Sequence, residues 1–434
     1  MTTTVPVRAP DVQAAGYTRS WPASIWTLLV GTFTVRAFGF TFPFLPYHLT
    51  NLHLATSLVG VLLATFGTGW LAGSVLSGWL ADRWGRRATL VATMLLAAAV
   101  LPPLALAHTT PALVTTSFLA GLVYDAPRPV VTAAIADAFP DAAARAKANG
   151  WRNYAVNVGA AFAGTVGGLL AAPLGIGALI CINAAVCGGF ALIAWQLVDS
   201  RKPGRSFASP GVAAALSDPR LWWLLAASLA ALTCTGSLFS ALPLLMEGDG
   251  LSAADYGWAQ AANAGVVLAL SPALNGWLSR RASRPHAMTG LFALSSLGLA
   301  VTVGSTGFVS TTLGYATAAA LAVPGEIVIF VAAADILNRI APPAAQGTYA
   351  GIWGTTLAGA VIVAPALATW ALTHGGDALV GACTFSSGLL GAALCWPLAT
   401  SVRRSRTPNA PCPAAPWRTR GPAPATSVTP RTPC

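Results

Sequence analysis

The sequence predicts an all-α polytopic membrane protein, with twelve transmembrane helices in two related six-helix halves. Three observations carry this prediction. The first is composition: of 434 residues, 55% are hydrophobic and only 9% charged, with a mean hydropathy of +0.66. Soluble proteins average about 25% charged residues, and so little polar surface cannot cover a chain of this length in water. The second is a series of twelve apolar runs, each long enough to cross a bilayer. The third is the placement of Lys and Arg, which fall in every second connection between those runs.

A spanning helix needs roughly 17–25 mostly apolar residues. The runs are 24–46, 57–80, 88–107, 112–137, 148–170, 175–197, 220–246, 256–278, 286–305, 310–337, 347–372 and 378–399. The first is preceded by a segment, 1–23, that carries Arg8, Asp11 and Arg19 but no short apolar core with a cleavage site. No removable signal peptide is therefore expected, and run 1 is read as a retained helix. Gly and Pro recur inside the runs, which membrane helices tolerate because small residues let neighbours approach.

The connections after runs 2, 4, 6, 8 and 10 contain Arg83, Arg86, Arg87, Arg145, Lys147, Arg201, Lys202, Arg205, Arg280, Arg281, Arg284 and Arg339. Those after runs 1, 3, 5, 7, 9 and 11 contain no Lys or Arg, only histidines and acids such as Glu247, Asp249, Asp255 and Asp377. A basic side of this kind faces the cytoplasm, which places both termini there. A miscount by one helix would scramble the alternation, so the charges also support twelve.

Residues 198–219, DSRKPGRSFASPGVAAALSDPR, form the longest polar connection between spans. They separate an N-terminal bundle, 24–197, from a C-terminal bundle, 220–399. The halves repeat weakly at about 200 residues: run 2 ends GWLADRWGRR at 78–87 and run 8 ends GWLSRRASR at 276–284, with Gly60 and Gly257 near the starts of the same helices. Two related bundles are the expected mark of a transporter. Residues 400–434, rich in Pro, Thr, Ser and Arg, read as a disordered cytoplasmic tail.

Composition also excludes function classes. The net charge of +11 comes from short clusters between spans, not a basic face, so nucleic acid is not a partner. Seven cysteines have no zinc spacing or disulfide framework, and five of them fit small hydrophobes within spans. No G-x-x-x-x-G-K-[ST] loop is present, which argues against a built-in ATP motor. No nucleophile triad, metal cluster or cofactor motif stands out, so an enzyme is not expected.

Four charges concentrate in GWLADRWGRR: Asp82, Arg83, Arg86 and Arg87. Arginines alone would anchor a turn at an anionic leaflet. An aspartate among them, beside Gly78 and Gly85, suggests an interhelical charge lock. The stretch resembles the G-x-L-a-D-r-x-G-r-[KR] motif of the major facilitator superfamily, matched by Gly78, Leu80, Ala81, Asp82, Arg83, Gly85, Arg86 and Arg87. The resemblance implies two six-helix bundles around a central cavity, working by alternating access, usually as a monomer. It also implies that the turn stabilises the outward-facing state, with its aspartate near the start of helix 11, here Gly347–Gly351. GLVYDAPRPVVTAAIADAFP (121–140) and RAKANGWRNYAVNVG (145–159) are similar to the helix 4–5 region of twelve-helix drug–proton antiporters, with Arg128 near that branch's helix-4 arginine. In helix 5, Gly159, Gly167 and Gly168 match the branch pattern, while Ala163 and Gly164 stand where it has Gly-Pro, so the proline kink is absent.

Four charges lie near mid-helix: Arg36 in run 1, Asp125 and Arg128 in run 4, and Glu326 in run 10. Each costs about 2.5–3.5 kcal/mol to insert, and such groups normally face a cavity or a partner. Arg36 and Asp125 share a bundle and are candidates for a pair, structural or functional. As a proton-coupling or substrate set, the expected division is Asp125 for the proton and Glu326 for a cationic group on the substrate. Asp137 and Asp335, nearer the cytoplasmic ends, are explained by caps or loop salt bridges. The aromatic run FGFTFPF at 38–44 offers Phe38, Phe40 and Phe42 as cavity-lining candidates, with Pro43 and Pro46 able to bend the outer end of helix 1. The expected function is export of a small organic compound across the cell membrane in exchange for protons. Proton symport for uptake, and a non-transporting scaffold or sensor on the same fold, stay open as alternatives.

Overall fold

The computed structural model describes residues 21–139, 142–198, 212–281, 287–342 and 345–404. The N-terminal segment, most of the central connection and the tail from 405 onward lie outside the described residues.

The described chain is helical throughout. In order it forms α1 (Ala23–Ala37), α2 (Thr41–Thr50), α3 (Thr56–Trp84), α4 (Arg86–Leu106), α5 (Thr110–Tyr124), α6 (Pro127–Ala138), α7 (Ala142–Leu174) and α8 (Ile176–Leu197). A short α9 (Val212–Leu216) leads into α10 (Pro219–Gly248), α11 (Ala253–Arg281), α12 (Ala287–Gly304), α13 (Thr312–Ile340) and α14 (Gln346–Arg404). Nine stretches among the described residues are long and apolar enough to span a membrane by length and composition. One of them, Thr348–Val402, holds two helices, because Gly376 inside α14 is non-helical at φ 66° and ψ −158°. The α5–α6 pair and α11 complete the twelve.

Two predicted helices are broken. Run 1 becomes α1 and α2, interrupted at Phe38–Phe40, where Phe38 N–H donates back to Thr34 O and Gly39 N–H to Arg36 O. Run 4 becomes α5 and α6, interrupted at Asp125 and Ala126. Pro127 and Pro129 lack N–H groups, so the helical bonds to the carbonyls of Val123 and Asp125 cannot form. Asp125 O instead accepts from Arg128 N at 3.0 Å.

The helices pack as two bundles. In the first, α1 lies on α7 and α8, α3 on α5, and α4 on α8; in the second, α10 and α12 lie on α14, and α11 on α13. The bundles meet through α7 on α11 and α3 on α14, the same contact repeated by the duplication. Both seams are built on glycine: Gly168 faces Gly257 Cα, and Gly60 faces Thr369. Phe42 approaches Phe239 at 5.5 Å, and Phe44 and Tyr47 approach Tyr256 at 5.7 and 5.8 Å, which closes the end of the molecule away from Asp82. At the Asp82 end the bundles part. Along α3, Gly60 and Gly67 meet Thr369 and Ile362 of the second bundle, whereas Gly73 and Gly78, nearer Asp82, meet only Leu122 and Pro129 of their own, and one buried cluster there draws only on the first bundle.

Candidate functional site

The break between α5 and α6 places Asp125 at mid-depth with its side chain 2% exposed. Arg36, the penultimate residue of α1, reaches it across the bundle and pairs with Oδ1 through Nη2. Arg128, one turn on in α6, pairs with Oδ2 through Nε at 2.8 Å. The indole N–H of Trp70 on α3 donates to the same Oδ2 at 3.1 Å. The pair suggested by the sequence, Arg36 with Asp125, therefore forms, and three donors hold the carboxylate.

Two members of this site escaped the sequence reading. Trp70 is one of 15 tryptophans, with nothing local to mark it. Arg152 of α7 sits near the start of its run, outside the mid-helix charges singled out above. It lines the same cleft as Arg36, Asp125 and Arg128. Its Nη1 donates to Thr132 Oγ1 at 2.6 Å and its Nη2 to Asn153 Oδ1 at 2.9 Å. Its Nε is buried without a partner. Asn153 and Asn157 on the same helix are exposed; polar groups bared on a spanning helix mark an aqueous crevice rather than lipid. Tyr124 links the charges to the aromatic seam. The Arg36 guanidinium lies 4.7 Å from its ring centroid, and that ring lies 5.0 Å from Phe42 and 4.9 Å from Trp70.

The three phenylalanines separate. Phe42 joins Phe66, Trp70 and Tyr124 of the first bundle to Phe239 of the second. Phe40 is fully buried and packs beside Gly167. Phe38 rests on Phe40 and on Phe162 of α7.

Glu326 occupies the middle of α13, about 200 residues after Asp125, so each bundle's fourth helix carries one acid at matching depth. Among the described residues no cation pairs with it. Its neighbour is Asn263 of α11, whose Nδ2 also donates to Ala319 O at 3.0 Å.

The GWLADRWGRR turn is tied within its own bundle. Gly85 takes φ 93° and ψ 162°, a conformation open to glycine, and so reverses α3 into α4. Asp82, with a side chain 71% exposed, bonds Arg86 Nη1 at 2.7 Å, and Arg86 Nε bonds Asp137 at 3.1 Å. Arg83 and Arg87 lie over the rings of Trp79 and Trp195. Among the described residues the bond recorded for Asp82 is to Arg86 of its own bundle, not to the start of helix 11 as implied for the outward-facing state. Gly78 meets nothing closer than Pro129 Cβ at 4.0 Å. Asp335 bonds Arg339 at 2.6 Å, the loop role expected of it.

At the same end, Asp218 caps α10 by accepting Arg220 N at 2.9 Å, and also accepts from the Arg220 guanidinium and from Tyr349 OH at 3.0 Å. Burial alone would raise its carboxyl, but the Arg220 and Tyr349 hydrogen bonds outweigh that and hold it below the ordinary range.

The family model of the major facilitator superfamily matches residues 27–365. No curated protein sequence matches the chain. Among solved structures, the chain resembles the peptide transporter POT in complex with sulfate, at 16% identity and TM-score 0.73, covering 88% of this chain and 95% of that one. A variant of POT bound to alafosfalin matches at 16% identity and TM-score 0.71, over 88% and 96%. A variant of the nucleoside transporter NupG matches at 12% identity and TM-score 0.69, over 87% and 99%. At these identities the likeness is one of fold. The chain belongs to the major facilitator superfamily.

Proposed function

We propose that the protein is a monomeric, proton-coupled exporter of a small organic compound across the cell membrane, with both termini in the cytoplasm. The observation that carries the reading is the matched pair of mid-membrane acids, Asp125 and Glu326, in opposite bundles of an alternating-access fold. A scaffold has no use for groups that costly to insert. In this reading the end that bears Asp82 is cytoplasmic, and the conformation described is the inward-open one. Export is favoured over uptake by the helix 4–5 resemblance to antiporters.

The surroundings of the two acids support a division of labour opposite to the one expected from sequence. Asp125 has both oxygens taken by Arg36, Arg128 and Trp70. Glu326 has no counter-cation among the described residues, only the Asn263 amide beside it, and so has room for a positive charge brought from outside. Glu326 therefore carries the proton and the Asp125 cluster meets the substrate. One charge moving through 100 mV yields about 2.3 kcal/mol, roughly fifty-fold in concentration at 1.4 kcal/mol per decade.

Reconstitution into liposomes with an internal pH-sensitive dye tests this reading. A panel of aromatic anions, amides and amines is added under an imposed proton gradient. Proton movement opposite to substrate movement is expected, with Glu326→Gln abolishing coupling while exchange of substrate persists. Proton movement in the same direction would establish symport, and no flux with any compound would leave a scaffold.

A further inference from the structure

The charges around Asp125 do not balance. Its Oδ1 is taken by Arg36, and its Oδ2 by Arg128 and Trp70. Arg152 lines the same cleft and has only neutral partners, Thr132 and Asn153, with Nε buried and unbonded. Asp125 is the one acid among the residues lining that cleft. Three guanidiniums thus line one cleft with a single carboxylate inside the bundle, where an uncompensated charge is costly and like charges repel. A guanidinium fork with a free N–H is suited to a planar carboxylate. Tyr124, under Arg36, also lines the cleft and packs on its far side against the Phe42, Phe66 and Trp70 rings.

We propose that Arg152, with Arg36 and Arg128, binds the carboxylate of an aromatic organic anion whose ring lies against Tyr124. This rests on the reading of the Asp125 cluster as the substrate site. It fixes the substrate class as anionic, and it assigns specificity to a residue on the fifth span. Export of a monoanion against an entering proton moves positive charge inward twice, so an interior-negative potential drives both movements.

The test uses the full chain in detergent at neutral pH and three isosteres that differ in charge: 2-naphthoate, 2-naphthamide and 2-naphthylmethylammonium. Binding is read by calorimetry, independently of transport. The carboxylate is expected to bind at least roughly tenfold tighter than the amide, the loss typical of removing a charged hydrogen-bond partner. Arg152→Gln should bring the carboxylate down to the amide, and Arg152→Lys should restore part of the difference. The proposal is overturned if the amine or amide binds as well as the carboxylate, if no carboxylate binding is seen, or if Arg152→Gln binds like wild type. The three-probe comparison on the unaltered chain decides the matter even if a variant fails to fold. Carboxylate binding without proton flux would remove the coupling reading and keep this one. Proton flux with amines alone would do the reverse.

Discussion

Removal of one partner from the Arg36–Asp125 pair is the perturbation with the largest predicted consequence. The two side chains are 15% and 2% exposed, so water cannot take over from a lost partner. Removing one member of a buried pair costs about 3–5 kcal/mol, because the other stays charged in a poor solvent. Arg36→Met keeps the apolar stem and removes the charge. Asp125 would retain Arg128, which is 39% exposed, and the Trp70 indole, so the loss should fall to about 2–3 kcal/mol, below the full cost of a broken pair. Asp125→Asn keeps the shape but leaves three guanidiniums facing no anion, and the full cost of about 3–5 kcal/mol is expected. Losses in contacting residues are not additive. The double variant, with no buried anion left for the remaining arginines to miss twice, should be less destabilised than the sum of the singles by about 2 kcal/mol. Unfolding of the purified protein in mixed micelles, followed by tryptophan fluorescence, measures all three. Additivity within about 0.5 kcal/mol, the range seen for independent sites, would refute the claim that the pair acts as a unit.

Three further outcomes follow from the geometry. Gly85→Ala places a side chain at φ 93° and should cost about 1–3 kcal/mol, whereas Gly78→Ala, with no atom nearer than 4.0 Å, should be neutral or slightly stabilising; thermal unfolding of the two variants separates strain from helix propensity. Gly168→Val would bring Cβ to 2.6 Å from Gly257 Cα, so the seam must open by nearly an ångström; with the native cysteines replaced, a probe cysteine at Tyr47→Cys should label severalfold faster in this variant, and equal rates would contradict it. Asp218 has a folded-state carboxyl below its ordinary value of 3.8, so its stabilising contribution is full above that value and disappears as pH falls through the depressed folded value; the melting temperatures of wild type and Asp218→Asn should therefore converge only on strong acidification, and a difference that does not change with pH would disprove the linkage.

The spans were legible in the sequence because lipid imposes length and hydropathy on each of them separately. The breaks were less so. Hydropathy does not distinguish a straight helix from a jointed one, and only the paired prolines at 127 and 129 hinted at the joint beside Asp125. The meeting of Arg36 with Asp125 could be anticipated from their shared bundle and depth. Trp70 and Arg152 could not, because their roles arise from α3 and α7 crossing α5 and α6, a matter of three-dimensional packing with no trace in local spacing. The partner of Asp82 was unreadable for a different reason: it depends on which end of the molecule is open, and one sequence encodes both states.

Gly168 and Gly257 meet with no side chain between them. A seal made from two bare backbones has no rotamer through which to yield by degrees, so it is either shut or parted. At that point the bundles meet backbone to backbone, so the tightness of the seam rests on two missing side chains, and any larger residue at either position must push whole helices aside.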